Sequence, residues 1–442
     1  MSVKIVTWFE RLKGTYWLIP SLMVTSSILL SFISIYLDRT GPPGLLAHLG
    51  WIAVDDPDGG RAFLSVVAGS MISTTGVTFS ITIAALVSAS SQLGPRVLNN
   101  FLRDRGNQLV LGTLTATYTY CLFILKSINS TPGEIFVPNL SITISIIMTI
   151  LSLGALVYFF HHISTSLRAE YVIAQVGEEL TRAIEQLFPE KMRYRTLQQK
   201  LLRNEDLPEY LSEEEGLKIK STKSGYLQAL DTDTLVEIGE KNELLMRTEI
   251  RPGEFTAEEN PILTIWPKKE IPEELKKRIE GCFILGDQRL RIQDVEYYLN
   301  QLVEIALRAL STGINDPLTA MGCVDQISAA LSQLMERSIP TGYNYDSNDK
   351  LRLITKPLTF TDIIETSFNQ IRRNGADSVS VTVRLLEGIE LISPHIRTGE
   401  QKTTLIRQAD ILLRQSKETI RDKYDKELIQ KQYQTTMNKL TG

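Results

Sequence analysis

Cysteine and histidine are scarce. The 442 residues hold three cysteines, Cys121, Cys282 and Cys323, and four histidines, His48, His161, His162 and His395. That set excludes a disulfide framework and gives no reason to expect a Cys/His metal cluster. Excess positive charge is also missing: the net charge is −4, so there is no footprint for nucleic acid. No nucleophile elbow, P-loop, Gly-rich dinucleotide loop or clustered acid pair occurs, so neither an enzyme nor a cofactor is expected. Disorder is excluded by long segments with a clear apolar period.

The mean hydropathy of −0.03 conceals two halves. Apolar residues crowd the first ~165 positions, and charged residues crowd the rest. Four charge-poor runs stand out: Trp17 to Leu37, Ala62 to about Ser91, Leu109 to about Leu125, and Ile142 to about Phe160. Each is long enough to cross a hydrocarbon layer of ~30 Å. The first has no small-x-small cleavage site and is read as an uncleaved anchor. The second, at roughly 45 Å, must tilt or protrude.

Lys4, Arg11 and Lys13 precede the first span, and Arg96, Arg103 and Arg105 lie between the second and third. Arg168 and many other basic residues follow the fourth. The positive-inside rule puts these regions, and both termini, in the cytoplasm. The first loop collects Asp38, Asp55, Asp56 and Asp58, without the spacing of an EF-hand. No Asp, Glu, Lys or Arg lies inside a span, which argues against an ion-coupled pump.

The second span is unusually rich in Gly, Ser, Thr and Ala. Gly69, Ser73, Gly76, Ser80, Ala84, Ser88 and Ser91 recur at spacings of three and four and share one face. Such a face admits a closely packed helix, with hydroxyls bonding across the contact. It also suits the lining of a polar conduit. In a ring of subunits both uses coexist, with the neighbouring Ser70, Thr74 and Thr78 toward the axis. Below this span, Gly94-Pro95 should break the helix. A short amphipathic helix then carries Val97, Leu98, Phe101 and Leu102 on one side and Arg96, Arg103 and Arg105 at its ends. Gly94, Pro95, Leu98 and Phe101 are candidates for a hinge or gate above a basic inner mouth. A plain interfacial turn explains them equally well.

Beyond the spans, a helical connector (164–215) ends in the acidic stretch Leu207 to Glu215. Residues 216–267 alternate in short strands with Pro-Gly turns, predicting a small β-barrel or sandwich. Residues 268–398 are α-rich, and 399–442 read as one long amphipathic helix suited to a partner helix or a neighbouring subunit. Within the α-rich part, Gln293 to Leu310 forms a helix ending in Ser-Thr-Gly-Ile-Asn-Asp-Pro. Asn315 or Asp316 caps the next helix, with Pro317 in its first turn. The same two polar residues also suit a cation or small ligand. The fold class is therefore a four-helix membrane domain (1–163) followed by a mixed α+β cytoplasmic region.

Three stretches carry a resemblance over nearly the whole chain: S-M-I-S-T-T-G-V-T-F-S-I-T, S-A-S-S-Q-L-G-P-R-V-L-N-N-F-L-R-D-R-G-N-Q-L-V-L-G, and Q-L-V-E-I-A-L-R-A-L-S-T-G-I-N-D-P-L-T-A. With them the chain resembles an uncharacterised family of predicted bacterial inner-membrane proteins, known as a domain of unknown function. The resemblance implies topology and location in the inner membrane, and no activity. The residues themselves favour a homo-oligomeric, ion-conducting pore. The alternative is a membrane-anchored sensor or scaffold whose cytoplasmic domains bind a ligand or partner. The expected partners are the lipid bilayer, further copies of the chain, and ions or a small cytoplasmic ligand.

Overall fold

A computed structural model describes residues 16–40, 56–95, 104–129, 136–188 and 216–442. The chain divides into two compact units, an N-terminal one ending at Tyr171 and a C-terminal one beginning at Val172.

The N-terminal unit contains four helices long and apolar enough to cross a membrane: α1 (Leu18–Thr40), α2 (Pro57–Leu93), α3 (Arg105–Ser127) and α4 (Asn139–Ser166). Helices α2 and α3 begin ahead of their apolar stretches, where polar caps start them. Asp56 accepts from Gly59 N at 3.1 Å, and Asp104 accepts from Asn107 N at 3.0 Å. Helix α3 is central and packs against the other three. Leu64, Val67, Tyr120, Ile124 and Ile142 cluster toward one end, and Ala85, Val110, Leu114 and Phe159 toward the other.

Hydroxyls tie the helices together. Tyr120 Oη lies 2.9 Å from Ser34 Oγ and donates to Ser141 O at 3.2 Å, and Thr117 meets Ser152 at 2.8 Å. Asp38, at the end of α1, accepts from Leu140 N, Ser141 N and the Ser141 hydroxyl at 2.9, 3.0 and 2.6 Å. One carboxylate thus caps α4 from another helix.

The C-terminal unit opens with the remainder of α5 (Ala169–Leu187). There follow β1 (Leu217–Lys220), β2 (Gly225–Leu230), α6 (Thr232–Asn242), β3 (Leu245–Thr248), β4 (Phe255–Thr256), β5 (Pro261–Trp266), α7 (Glu273–Glu280) and β6 (Phe283–Gly286). Of the barrel or sandwich expected, no closed barrel forms among the described residues. The strands form two open sheets, ordered β1-β5-β3-β8-β7 and β4-β2-β6, where β7 is Tyr343–Tyr345 and β8 is Leu351–Ile354. Strand β8 pairs parallel to β3 from about a hundred residues away, and β6 flanks β2. Two helices over one shared core, including Leu235, Ile238, Leu263, Ile265 and Ile279, replace barrel closure as the means of covering the sheets.

The remaining helices are α8 (Val295–Ala309), α9 (Pro317–Met335), α10 (Phe360–Asn374), α11 (Val379–Ile392), α12 (Gly399–Thr419) and α13 (Lys423–Thr441). The tail is therefore two helices instead of one. Ile420 is extended, and Asp422 accepts from Tyr424 N and Asp425 N to start α13. Of the apolar stripe expected to meet a partner helix or a neighbouring subunit, Leu405, Ala409, Leu412 and Ile420 are buried within the chain while Tyr424 and Leu428 are exposed, and α13 packs on α11 and α12.

Candidate functional site

Helix α2 turns its small-residue face outward. Gly69, Ser73, Gly76, Ser80 and Ala84 are exposed, and Thr74 is half-buried. A Cβ placed on Gly69 or Gly76 meets nothing within 4 Å. The side packed within the chain is instead Leu64, Val67, Ala68, Thr78, Thr82, Ala85 and Ala89. Thr78, expected beside Ser70 and Thr74 at an axis, is buried within its own chain, so it does not share their outward direction. The outward hydroxyls are satisfied locally: Ser73 donates to Gly69 O at 2.9 Å and Ser80 to Gly76 O at 2.8 Å. This back-bonding removes the cost of exposing a hydroxyl in an apolar medium.

The close-packing stripe lies on a helix that sequence reading passed over. Ser27, Ser31 and Ser34 of α1 are buried at spacings of four and three. Opposite them, a Cβ on Gly112 of α3 would come within 2.4 Å of Met23 Sδ and 3.4 Å of Pro20 Cα. Helices α1 and α2 flank α3 and leave a groove between them of about 650 Å³, lined by Trp17, Val24, Ile72, Gly76, Phe79, Leu111 and Thr115. Gly76 thus belongs both to the outward stripe and to an apolar groove.

Helix α2 stops at Leu93. Gly94 takes φ +104°, in the region that favours glycine, and donates its N–H to Ser90 O. Pro95 is exposed beside it, as is Arg105 in the first turn of α3. Arg96, Leu98, Phe101 and Arg103 lie outside the described residues, as do Leu207 to Glu215. The neighbouring cluster was not anticipated. Asp104 Oδ2 lies 2.9 Å from His162 Nε2, and Tyr158 stacks on the imidazole at 5.3 Å. Gly106 leaves room for this group, since a Cβ there would reach Tyr158 Oη at 2.8 Å. His162 carried no local signal beyond its place near a span end. Of the acidic loop, Asp38 and Asp56 serve as helix caps, and Asp55 lies outside the described residues.

In the C-terminal unit, Asp316 caps α9, accepting from Thr319 N at 3.1 Å and from the Thr319 hydroxyl at 2.6 Å. The hydroxyl holds its carboxyl below the usual range. Asn315 is exposed at φ +51°. Capping accounts for Asp316.

A cavity of about 340 Å³ lies elsewhere in this unit, lined by Arg251, Gln293, Asp294, Glu296, Asn344 and Lys356 among others. The Arg251-Pro252-Gly253-Glu254 turn builds one wall. Gly253 has φ +92°, and a Cβ there would fall 2.4 Å from Asp294 Oδ2. Arg251 reaches Glu296 at 3.2 Å and Asp362 at 3.3 Å. Arg289 grips Asp294 with Nε at 2.7 Å and Nη2 at 2.8 Å. Burial nonetheless pushes the Asp294 carboxyl up to about 6. The cavity thus offers both signs of charge at a desolvated wall, which suits a small polar ligand.

A family model described as a predicted membrane protein (DUF2254) matches residues 13–390. Uncharacterized proteins of Mycobacterium bovis and Mycobacterium tuberculosis are each 27% identical over 433 residues, covering 95% of this chain and 80% of their own length. No solved structure matches.

Proposed function

This chain belongs to the DUF2254 family of predicted membrane proteins, and from that premise we propose that it assembles with copies of itself into an ion-conducting pore of the inner membrane. The observation that carries this reading is the outward stripe of α2, with Gly69 and Gly76 uncovered and a groove beside them. A surface of this kind accepts a second helix at close range. Its hydroxyls, already bonded to their own helix, can swing toward permeating ions without first being left unpaired. In this reading Gly94 and Pro95 form a hinge below the conduit, Arg105 stands at its inner mouth, and both termini face the cytoplasm.

Purified full-length protein in planar bilayers tests the proposal. Conductance is expected, reduced by Gly76→Leu or Ser80→Trp, with a Ser80→Cys variant cross-linking between copies. Silence in bilayers together with no cross-link overturns it. The charged cavity favours a second reading, a ligand sensor in which the helices only anchor and oligomerise. Saturable binding of a small polar ligand that Lys356→Ala weakens, with no conductance under any condition, would establish that alternative.

A further inference from the structure

The Ser-Thr-Gly-Ile-Asn-Asp-Pro-Leu turn has more on its surface than capping requires. Ile314 is 45% exposed and Leu318 75% exposed. The backbone that presents them is firmly tied: Asn315 N donates to Ser311 O at 2.9 Å and Asp316 N to Ala309 O at 2.7 Å. Two apolar side chains are thus held outward on a well-bonded turn.

The helix register shows which end of the C-terminal unit this is. A Cβ on Gly322 would touch Ile173, and one on Gly177 would touch Gln326. Arg337 donates to Phe188 O at 2.9 Å, again 149 residues apart. Helices α5 and α9 therefore run parallel in constant register, and the start of α9 lies at the end of the unit where Val172 enters. Ser166, the last residue of α4, is six residues before Val172. Six residues reach at most ~21 Å, so the chain enters this end of the unit by a short tether from the end of α4.

The same end gathers unpaired positive charge. Helix α10 runs parallel to α8, since Thr366 bonds Glu296 and a Cβ on Gly375 would lie 3.3 Å from Leu310. Helix α12 runs parallel to α10, with Gln415 against Arg372 and Thr419 against Ala376. Arg372, Arg373 and Arg414 therefore collect beside the turn. Among the described residues none of the three forms an ion pair. The Arg372 guanidinium donates to the Gln415 carboxamide, and burial plus the charges of Arg373 and Arg414 pull it below the usual value.

We infer that this end of the C-terminal unit is a docking surface for the bilayer itself, with Ile314 and Leu318 entering the interface and Arg372, Arg373 and Arg414 engaging anionic lipid headgroups. Exposed apolar residues flanked by arginines are the composition of an interfacial anchor. The short tether supplies the membrane at high effective concentration. The inference depends on the membrane spans and not on conduction.

The test uses full-length protein in nanodiscs of phosphatidylethanolamine with phosphatidylglycerol. Leu318→Cys carries a nitroxide, and the native cysteines are buried and so protected. A control label goes on Glu400→Cys, exposed at the opposite end of α12. The expected result is a ratio of oxygen to aqueous-nickel accessibility several-fold higher at position 318 than at 400. It should fall toward the control value when Arg373→Glu and Arg414→Glu are added, or when phosphatidylcholine replaces the anionic lipid. Equal accessibility at both positions in anionic nanodiscs overturns the inference. So does spin–spin broadening at 318, which would mean that a second copy covers the turn. Insertion indifferent to both lipid charge and the arginine changes overturns the headgroup contact.

Discussion

In the N-terminal unit the residues withdrawn from the surface include Ser27, Ser31, Ser34, Thr117, Ser141, Ser145 and Ser152, while Leu22, Leu29, Phe32, Ile150 and Leu153 stand exposed. In the C-terminal unit Leu302, Ile305, Val324, Leu331, Phe368 and Leu385 are buried, and most of the charge is on the surface. One chain folds against two solvents. Where the surroundings are as apolar as leucine, close approach and hydroxyl bonds hold helices together. Where the surroundings are water, apolar area does so. The near-zero mean hydropathy is the cancellation of these two solutions.

Buried thiols report on the units separately: Cys121 on the first, Cys282 and Cys323 on the second. Denaturant-dependent thiol labelling followed by peptide mapping therefore reads both in one molecule. The largest expected effect is Phe368→Ala, a fully buried side chain in the C-terminal unit. It should cost about 3–5 kcal/mol, advancing exposure of Cys323 while leaving Cys121 unchanged. Simultaneous advance of both would show that the units unfold as one and break the comparison.

Next comes Asp294, whose native carboxyl at about 6 lies above the ordinary 3.8. The native state binds a proton that the unfolded chain releases in this window. Its contribution therefore stabilises as pH falls from about 6 to 4, and is lost as pH rises through that window. The swing is on the order of 1–3 kcal/mol, measured as the difference between wild type and Asp294→Asn, which keeps the cap acceptor for Tyr297 N.

In the membrane unit Asp38→Ala removes the acceptor for two backbone N–H groups of α4 and should cost about 1–2 kcal/mol, read at Cys121 in detergent. Tyr120→Phe deletes the bonds to Ser34 and to Ser141 O and should cost only about 1 kcal/mol, since hydroxyl bonds between membrane helices are individually weak, averaging about 0.6 kcal/mol. A loss from Tyr120→Phe as large as that from Phe368→Ala would reject the two-solvent account.

The helices of the membrane unit were legible because long uncharged runs permit little else. Their inward faces were not. Lipid-facing and core-facing residues are both apolar, so the stripe on α2 drew attention while the serines of α1 made the close contacts. Alternation revealed β1, β2, β3 and β5, but not β4, β6 or β7, nor that β8 joins β3 across about a hundred residues, because pairing of that range leaves no local mark. The tail read as one helix because its apolar spacing continues through Ile420, and the capping role of Asp422 was the missed signal. Asp316 was legible because Asp before Pro at a helix start has a short-range cause. The Asp104–His162 pair was not, since its members lie 58 residues apart.

The carboxylate of Asp38 on the first helix satisfies the opening amides of the fourth. During synthesis its acceptor role stays open until a segment 102 residues later is made. A nascent chain cut short before Asn139 would hold the Asp38 carboxyl without the amides it serves.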